Sequence, residues 1–253
     1  MKKLSILFFI AGASLFNSPT FAQENSQAKD TTKGVYVTAG VGGSWSSSPN
    51  INYNESGTGS VPTILGIPFN ANLNGTANLG GGIAAEGGLG YDFGNNIRTE
   101  LTYVLNTFDS GKFSVSGNLA IAGANLPLTG RFLPSGNVVS NSVFVSGYYD
   151  FPTKSKFTPY VGAGLGYTSV NLPSEPATFT SAIASGSRNI DSGSASSFGY
   201  LAKLGVSYAA AKSTDIYVEG IYQGNTGVTI NEVQVDPLNT FSARAGLRFR
   251  FGS

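Results

Sequence analysis

The chain has 253 residues, with 15 Lys+Arg against 14 Asp+Glu and a formal net charge of +1, so no global field would draw it to nucleic acid. Cysteine and histidine are both absent, which excludes disulfides, thiolate chemistry, imidazole general bases and the commonest zinc ligand. Charged residues make up 11% of the chain and aromatics 12%; disorder requires few rings and high net charge, so the low charge points instead to a membrane.

The chain opens with Met1-Lys2-Lys3 and an apolar run from Leu4 to about Phe16, and small residues Thr20 and Ala22 follow at cleavage-site positions. This is the pattern of a secretory signal peptide over residues 1–22. A membrane-spanning helix is excluded by length, since a span needs about 20 apolar residues. A polar leader then occupies 23–33, and insertion into a membrane would have to use strands.

Period-two alternation places successive side chains on opposite faces of a strand. The first strand is expected over Gly34 to about Trp45. The second, Gly82 to Phe93, carries Ile83, Ala85, Leu89, Tyr91 and Phe93 on one face and Ala84, Glu86 and Asp92 on the other. Gly94-Asn95-Asn96 supplies a tight turn. In the third strand Ile97, Leu101, Tyr103 and Leu105 oppose Arg98, Glu100, Thr102 and Asn106. The fourth, about Val138 to Phe151, shows Val139, Val143, Val145, Tyr149 and Phe151, and the fifth, Phe157 to about Val170, shows Val161, Ala163, Leu165 and Tyr167. The sixth, about Ser197 to Ala209, sets Phe198, Tyr200, Leu204, Val206 and Tyr208 against Lys203; the seventh sets Ile216, Val218 and Tyr222 against Tyr217, Glu219 and Gln223. The last, Phe241 to Phe251, has Phe241, Ala243, Ala245, Leu247, Phe249 and Phe251 on one face and three arginines, Arg244, Arg248 and Arg250, on the other.

An apolar face opposite so charged a face suits lipid outside and a polar interior within. The connections alternate between long, roughly 15 to 35 residues, and short, roughly 3 to 7, as in outer-membrane barrels with long external loops and tight periplasmic turns. The fold class expected is therefore all-β: an eight-stranded antiparallel up-and-down transmembrane β-barrel over 34–253 with long extracellular loops. Tyr91, Phe93, Tyr149, Phe151, Tyr208, Phe249 and Phe251 fall at the periplasmic strand ends, and Tyr167, Phe198, Tyr200, Tyr222 and Phe241 nearer the external ends. Two aromatic girdles at the water–lipid boundaries account for them.

The same face assignment puts Glu86, Arg98, Glu100, Lys203, Glu219, Arg244 and Arg248 inside the barrel. An eight-stranded barrel is just wide enough for its side chains to fill, and buried charges must pair. These residues are expected to form a lumen ion-pair network, with a narrow gated pore or a polar cleft as the alternatives. Catalytic, cofactor-binding and metal-binding sites are not expected: no serine sits in a G-x-S-x-G setting, and the loops have no carboxylate cluster. The glycine-rich pieces Gly80-Gly81-Gly82 and Gly162-Ala-Gly-Leu-Gly166 lack a strand–loop–helix setting for phosphate and are read as easing strand curvature.

With the strands laid out, the chain resembles the small outer-membrane β-barrel family of opacity-type and surface-antigen proteins, and is similar to the membrane domain of OmpA-type proteins. The resemblance rests on Tyr36-Val-Thr-Ala-Gly-Val-Gly-Gly43, Asn96-Ile-Arg-Thr-Glu-Leu-Thr-Tyr103, Thr158-Pro-Tyr-Val-Gly-Ala-Gly-Leu-Gly-Tyr167 and Ala243-Arg-Ala-Gly-Leu-Arg-Phe-Arg-Phe251. It implies adhesin or antigen roles and a terminal aromatic read by the barrel-insertion machinery; here Gly252-Ser253 follow Phe251, a departure from that ending.

The long connections are rich in Ser, Asn, Thr and Gly, yet hold Ile64, Leu65, Ile67 and Phe69, then Leu119, Ile121, Leu126 and Leu128, then Phe179 and Ile183. Either the strands extend beyond the membrane and these residues form a small cap, or they form an apolar binding patch. The expected function is structural or surface display, with interaction carried by the loops; the alternative is a narrow passive porin for small solutes. Expected partners are outer-membrane lipid, the barrel-insertion machinery and a host or environmental surface ligand, with no cofactor.

Overall fold

The computed structural model describes residues 33–58, 66–183, 185–230 and 233–251. The expected signal peptide, nearly all of the polar leader, Ile64, Leu65 and Gly252-Ser253 lie outside them. Eighteen strands follow in chain order: β1 (Gly34–Ser46), β2 (Asn50–Thr58), β3 (Pro68–Thr76), β4 (Asn78–Leu79), β5 (Gly81–Asp92) and β6 (Ile97–Phe108). Then come β7 (Ser110–Gly111), β8 (Phe113–Ile121), β9 (Ala124–Phe132), β10 (Val138–Asp150), β11 (Phe157–Leu172) and β12 (Glu175–Ser181). The last are β13 (Ser185–Ile190), β14 (Gly193–Ala209), β15 (Thr214–Asn225), β16 (Val228–Ile230), β17 (Val233–Val235) and β18 (Thr240–Arg250).

Eight of them close into an antiparallel barrel in the order β1-β18-β15-β14-β11-β10-β6-β5. Closure leaves no unpaired edge to face hydrocarbon. Side chains alternate strictly along each wall. In β6, Arg98, Glu100, Val104 and Asn106 are buried while Leu101 and Tyr103 are more than half exposed. At the turn after β5, Gly94 (φ 76) and Asn96 (φ 68) take left-handed conformations. The Asp92 carboxylate accepts a bond from the Gly94 N–H at 3.0 Å.

The long connections carry strands of their own, so of the two readings offered for them the cap is the one observed. Each folds as a β-hairpin, and the hairpins join in one eight-stranded sheet, β13-β12-β9-β8-β3-β2-β17-β16. An isolated hairpin is marginal in water; a shared core makes these persist. Leu73, Val115, Leu119, Leu128, Phe132 and Ala177 are buried in it, and each fully buried Val, Leu or Phe contributes roughly 1.5–3 kcal/mol. The β8–β9 link needs only Ala122 (φ 50) and Gly123 (φ 80), the two positive-φ residues of a tight hairpin turn.

This cap has the opposite polarity from the barrel. Its concave face carries Ile51, Tyr53, Ala71, Leu73, Val115 and Phe132, and its convex face Asn52, Asn54, Asn72, Asn74, Ser116 and Asn118. The Asn72 amide donates to Asn54 at 2.6 Å and the Asn74 amide to Asn72 at 3.2 Å. Water surrounds the cap, so the apolar side turns inward; the barrel wall turns it outward.

Candidate functional site

Two places gather unusual side chains: the barrel lumen and the inside of the cap. Among the described residues, the lumen buries five cations (Arg98, Lys203, Arg244, Arg248 and Arg250) and six carboxylates (Glu86, Asp92, Glu100, Asp150, Asp215 and Glu219). Arg98 Nη1 lies 2.7 Å from Glu100 Oε1, and its Nε 3.0 Å from Asp150 Oδ1. Lys203 Nζ bridges Glu86 Oε2 at 2.8 Å and Glu219 Oε1 at 3.0 Å. Arg244 Nη1 donates to the same Glu86 oxygen at 2.7 Å, while its Nη2 reaches Asn106 Oδ1 at 3.1 Å. Arg248 sits 3.4 Å from Asp215 and 3.9 Å from Glu100, and Arg250 lies 2.7 Å from Asp215. All seven of the charged lumen residues singled out from the sequence face this interior.

Four tyrosines, Tyr36, Tyr148, Tyr160 and Tyr217, form a collar within the lumen; of these, sequence reasoning set only Tyr217 on the inward face. Tyr36 donates to Glu100 at 2.8 Å, Tyr160 to Glu219 at 2.8 Å and Tyr217 to Glu86 at 2.9 Å. The Arg98 guanidinium lies 4.1 Å from the Tyr148 ring centre and 4.7 Å from that of Tyr160, close enough for cation–π attraction. Each collar ring lies over a glycine on the next strand: Tyr36 pairs with Gly90, Tyr148 with Gly162, Tyr160 with Gly205 and Tyr217 with Gly246. A Cβ on Gly90 would meet the Tyr36 ring at 2.2 Å, and one on Gly162 the Tyr148 ring at 2.4 Å. Clearance for a ring, rather than curvature alone, therefore explains these glycines. The signal was the strand parity, which puts each tyrosine on the same face as a charged residue.

Above the charges, Val104, Phe144, Leu201 and Ile221 make an apolar layer inside the barrel, crossed by Arg244. Asn106, Gln223 and Ser142 follow, linked by bonds of 3.2 and 2.9 Å. Phe108, Val138, Val170 and Leu238 then close the mouth below the cap.

Outside, Phe93, Tyr149, Phe151, Phe249 and Phe251 are exposed, with Tyr91 and Tyr208 half-buried. They meet edge to face in neighbouring pairs: Tyr91 with Phe93 at 5.0 Å, Tyr149 with Phe151 at 5.2 Å and Phe249 with Phe251 at 5.3 Å. Phe157 joins Tyr208 at 4.9 Å and was not anticipated. At the other rim Trp45 stands opposite Phe241 in the register.

In the cap, the residues that sequence left between a core and a binding patch divide. Leu119, Ile121 and Leu128 are buried, Ile67, Phe69, Leu126 and Phe179 pack against them, and Ile183 stays exposed. Two charged residues on the concave side come together: Arg188 of β13 forms an ion pair with Glu55 of β2 and reaches the Tyr53 hydroxyl at 3.4 Å. These strands are not hydrogen-bonded neighbours in the sheet, so the pair reaches across its concave side. Glu175 also lines the inside of the cap, near the barrel mouth. Burial pushes its carboxyl up to about 7, because a carboxylate loses hydration there.

The profile of a family described as "Surface antigen" matches residues 76–247, well over half of the chain. The chain belongs to that family. It is an outer-membrane β-barrel surface antigen. The chain is 27% identical over 169 residues to "Outer membrane protein PagN" of Salmonella typhimurium, covering 65% of this chain and 66% of that protein; it thus spans just under two thirds of that relative's length. Among solved structures it is similar to Neisserial surface protein A, with a TM-score of 0.48 at 20% identity, covering 86% of this chain and 97% of that one. It is also similar to OprG from Pseudomonas aeruginosa, with a TM-score of 0.42 at 12% identity, covering 90% and 100%. In this surface antigen the family match takes in Glu86, Arg98, Glu100, Lys203, Glu219 and Arg244, and stops just before Arg248.

Proposed function

We propose that this surface antigen is an anchored display protein: the barrel holds it in outer-membrane lipid, and the cap is an outward interaction surface with an adhesin-like role. The observation that carries this reading is the merging of four connections into one cored sheet. A rigid scaffold that presents a fixed face suits recognition of a cell or matrix surface. The lumen charges, in this reading, are structural: they pair with one another and hold the wall strands at fixed positions. The aromatic girdles set the barrel at the two lipid boundaries. Export by a signal peptide over residues 1–22 and insertion by the barrel machinery complete the proposal, and no catalytic role is assigned.

The test is a display experiment. Cells carrying the full chain are compared with cells in which the β8–β9 and β12–β13 hairpins are replaced by short turns, for attachment to epithelial monolayers and matrix-coated surfaces. Attachment should fall at least tenfold while heat-modifiable gel mobility shows the barrel intact. Equal attachment with and without the hairpins would refute the adhesin-like role.

A further inference from the structure

The cap holds an open hollow at its outward end that the display role does not use. Six strands contribute to its lining: Tyr53 and Glu55 from β2, Phe69, Ala71 and Leu73 from β3, Leu119 from β8, Leu128 from β9, and Phe179 and Gly186 from β12 and β13. Its volume is about 170 Å³. An engineered apolar cavity of about 150 Å³ stays dry and binds benzene. The hollow lower down, between the cap and the barrel mouth, offers only about 40 Å³, room for water but not for an organic molecule.

We propose that the outward end of the cap is a binding site for a compact, uncharged apolar molecule of monocyclic-aromatic size. Three features define that class. The walls are mainly aromatic and aliphatic, with Ser181 and Ser185 at one end, so most of the gain on binding comes from burying apolar area. Six strands of the curved sheet line the space, and its size suits a small molecule rather than a peptide laid along an edge. The ionisable groups at the rim, Glu55 and Arg188, are paired with each other; an ion entering would find no unpaired counter-charge and would lose its hydration.

Gly186 supplies the means to test it. It lines the cavity opposite Phe179 in the register, and a Cβ built on it meets nothing within 4 Å, so the first atom of a larger side chain clears its neighbours and the rest takes up space in the hollow. The full chain in lipid nanodiscs, with 13C-labelled leucine methyls, is titrated with toluene, benzoate and benzylammonium. Toluene should shift the Leu73, Leu119 and Leu128 methyls in a saturable way, at least tenfold more tightly than either ion. The lipid-facing Leu89 and Leu247 methyls should respond only in proportion to partitioned toluene. Gly186→Leu should weaken the saturable response at least tenfold, whereas Ser187→Leu, on the convex face, should not. Leu119→Ala enlarges the cavity and should shift preference at least tenfold towards naphthalene, a readout that holds even if Gly186→Leu does not fold. The proposal is overturned if the cavity methyls respond no differently from the lipid-facing ones, if Gly186→Leu folds and binds as the parent does, or if Leu119→Ala leaves the preference unchanged. Attachment of cells, which tests the display role, is read separately and does not depend on this result.

Discussion

Glu86 accepts from Lys203, Arg244 and Tyr217 at once, so truncating it strips Arg244 of its carboxylate partner and leaves Lys203 with Glu219 alone. Breaking a buried pair from one side costs about 3–5 kcal/mol, because the remaining charge stays dehydrated. Glu86→Ala should therefore lower the unfolding free energy of the lipid-reconstituted barrel by that amount, read as a lower urea midpoint. Glu219→Ala, which leaves the Lys203–Glu86 bridge standing, should cost less. An unchanged midpoint for Glu86→Ala would contradict the pairing. Glu175 gives the opposite kind of residue effect. Its carboxyl lies at about 7 in the folded cap against an ordinary 4.5, so between those values the folded state holds more protons than the unfolded one. Stability then falls as pH rises. Hydrogen exchange of the β12 and β13 amides should show the cap opening more readily as pH rises from about 5 to about 7, and Glu175→Gln should flatten that dependence. A flat profile in the parent chain would show that Glu175 is not buried.

At the scale of elements, the barrel strands were legible because lipid demands an unbroken apolar face, and Ile83 to Phe93 or Phe241 to Phe251 display one. The cap strands obey the same period: Phe69, Ala71 and Leu73, or Leu126, Leu128, Gly130 and Phe132, alternate just as regularly. Their runs are short and flanked by Asn, Ser and Gly, which read as turn formers, so the period alone leaves a cap and an apolar patch both open. The ion-pair partners were illegible for a different reason. Lys203 and Glu86 are 117 residues apart in sequence, and strand parity says which residues face the lumen but not which meet across it. The change of polarity between barrel and cap has a direct reading. Spin labels at Leu89, Leu101 and Leu247 should be relaxed by lipid-soluble oxygen, and a label at Asn72 by a water-soluble nickel chelate. Exchange of those accessibilities would mean that the barrel wall faces protein or water.

For the whole molecule, the stacking of a charged lumen, an apolar layer, an amide layer and a cored cap leaves Arg98, Arg244, Arg248, Tyr36, Phe144 and Val104 fully buried along the axis. A purified, reconstituted protein should give no stable unitary conductance in a planar bilayer; reproducible steps would restore the narrow-pore reading. The exchange of sides between barrel and cap also works as a flotation line. Along a strand, two residues correspond to roughly 7 Å before tilt. Riding that much higher would lift Trp45 and Phe241 out of oil, and sinking that much deeper would drag the polar Ser46-Ser47-Ser48 stretch above them into it. Both displacements are opposed, so the draught of the molecule is written into its side-chain order, and a thinner bilayer must deform to meet it.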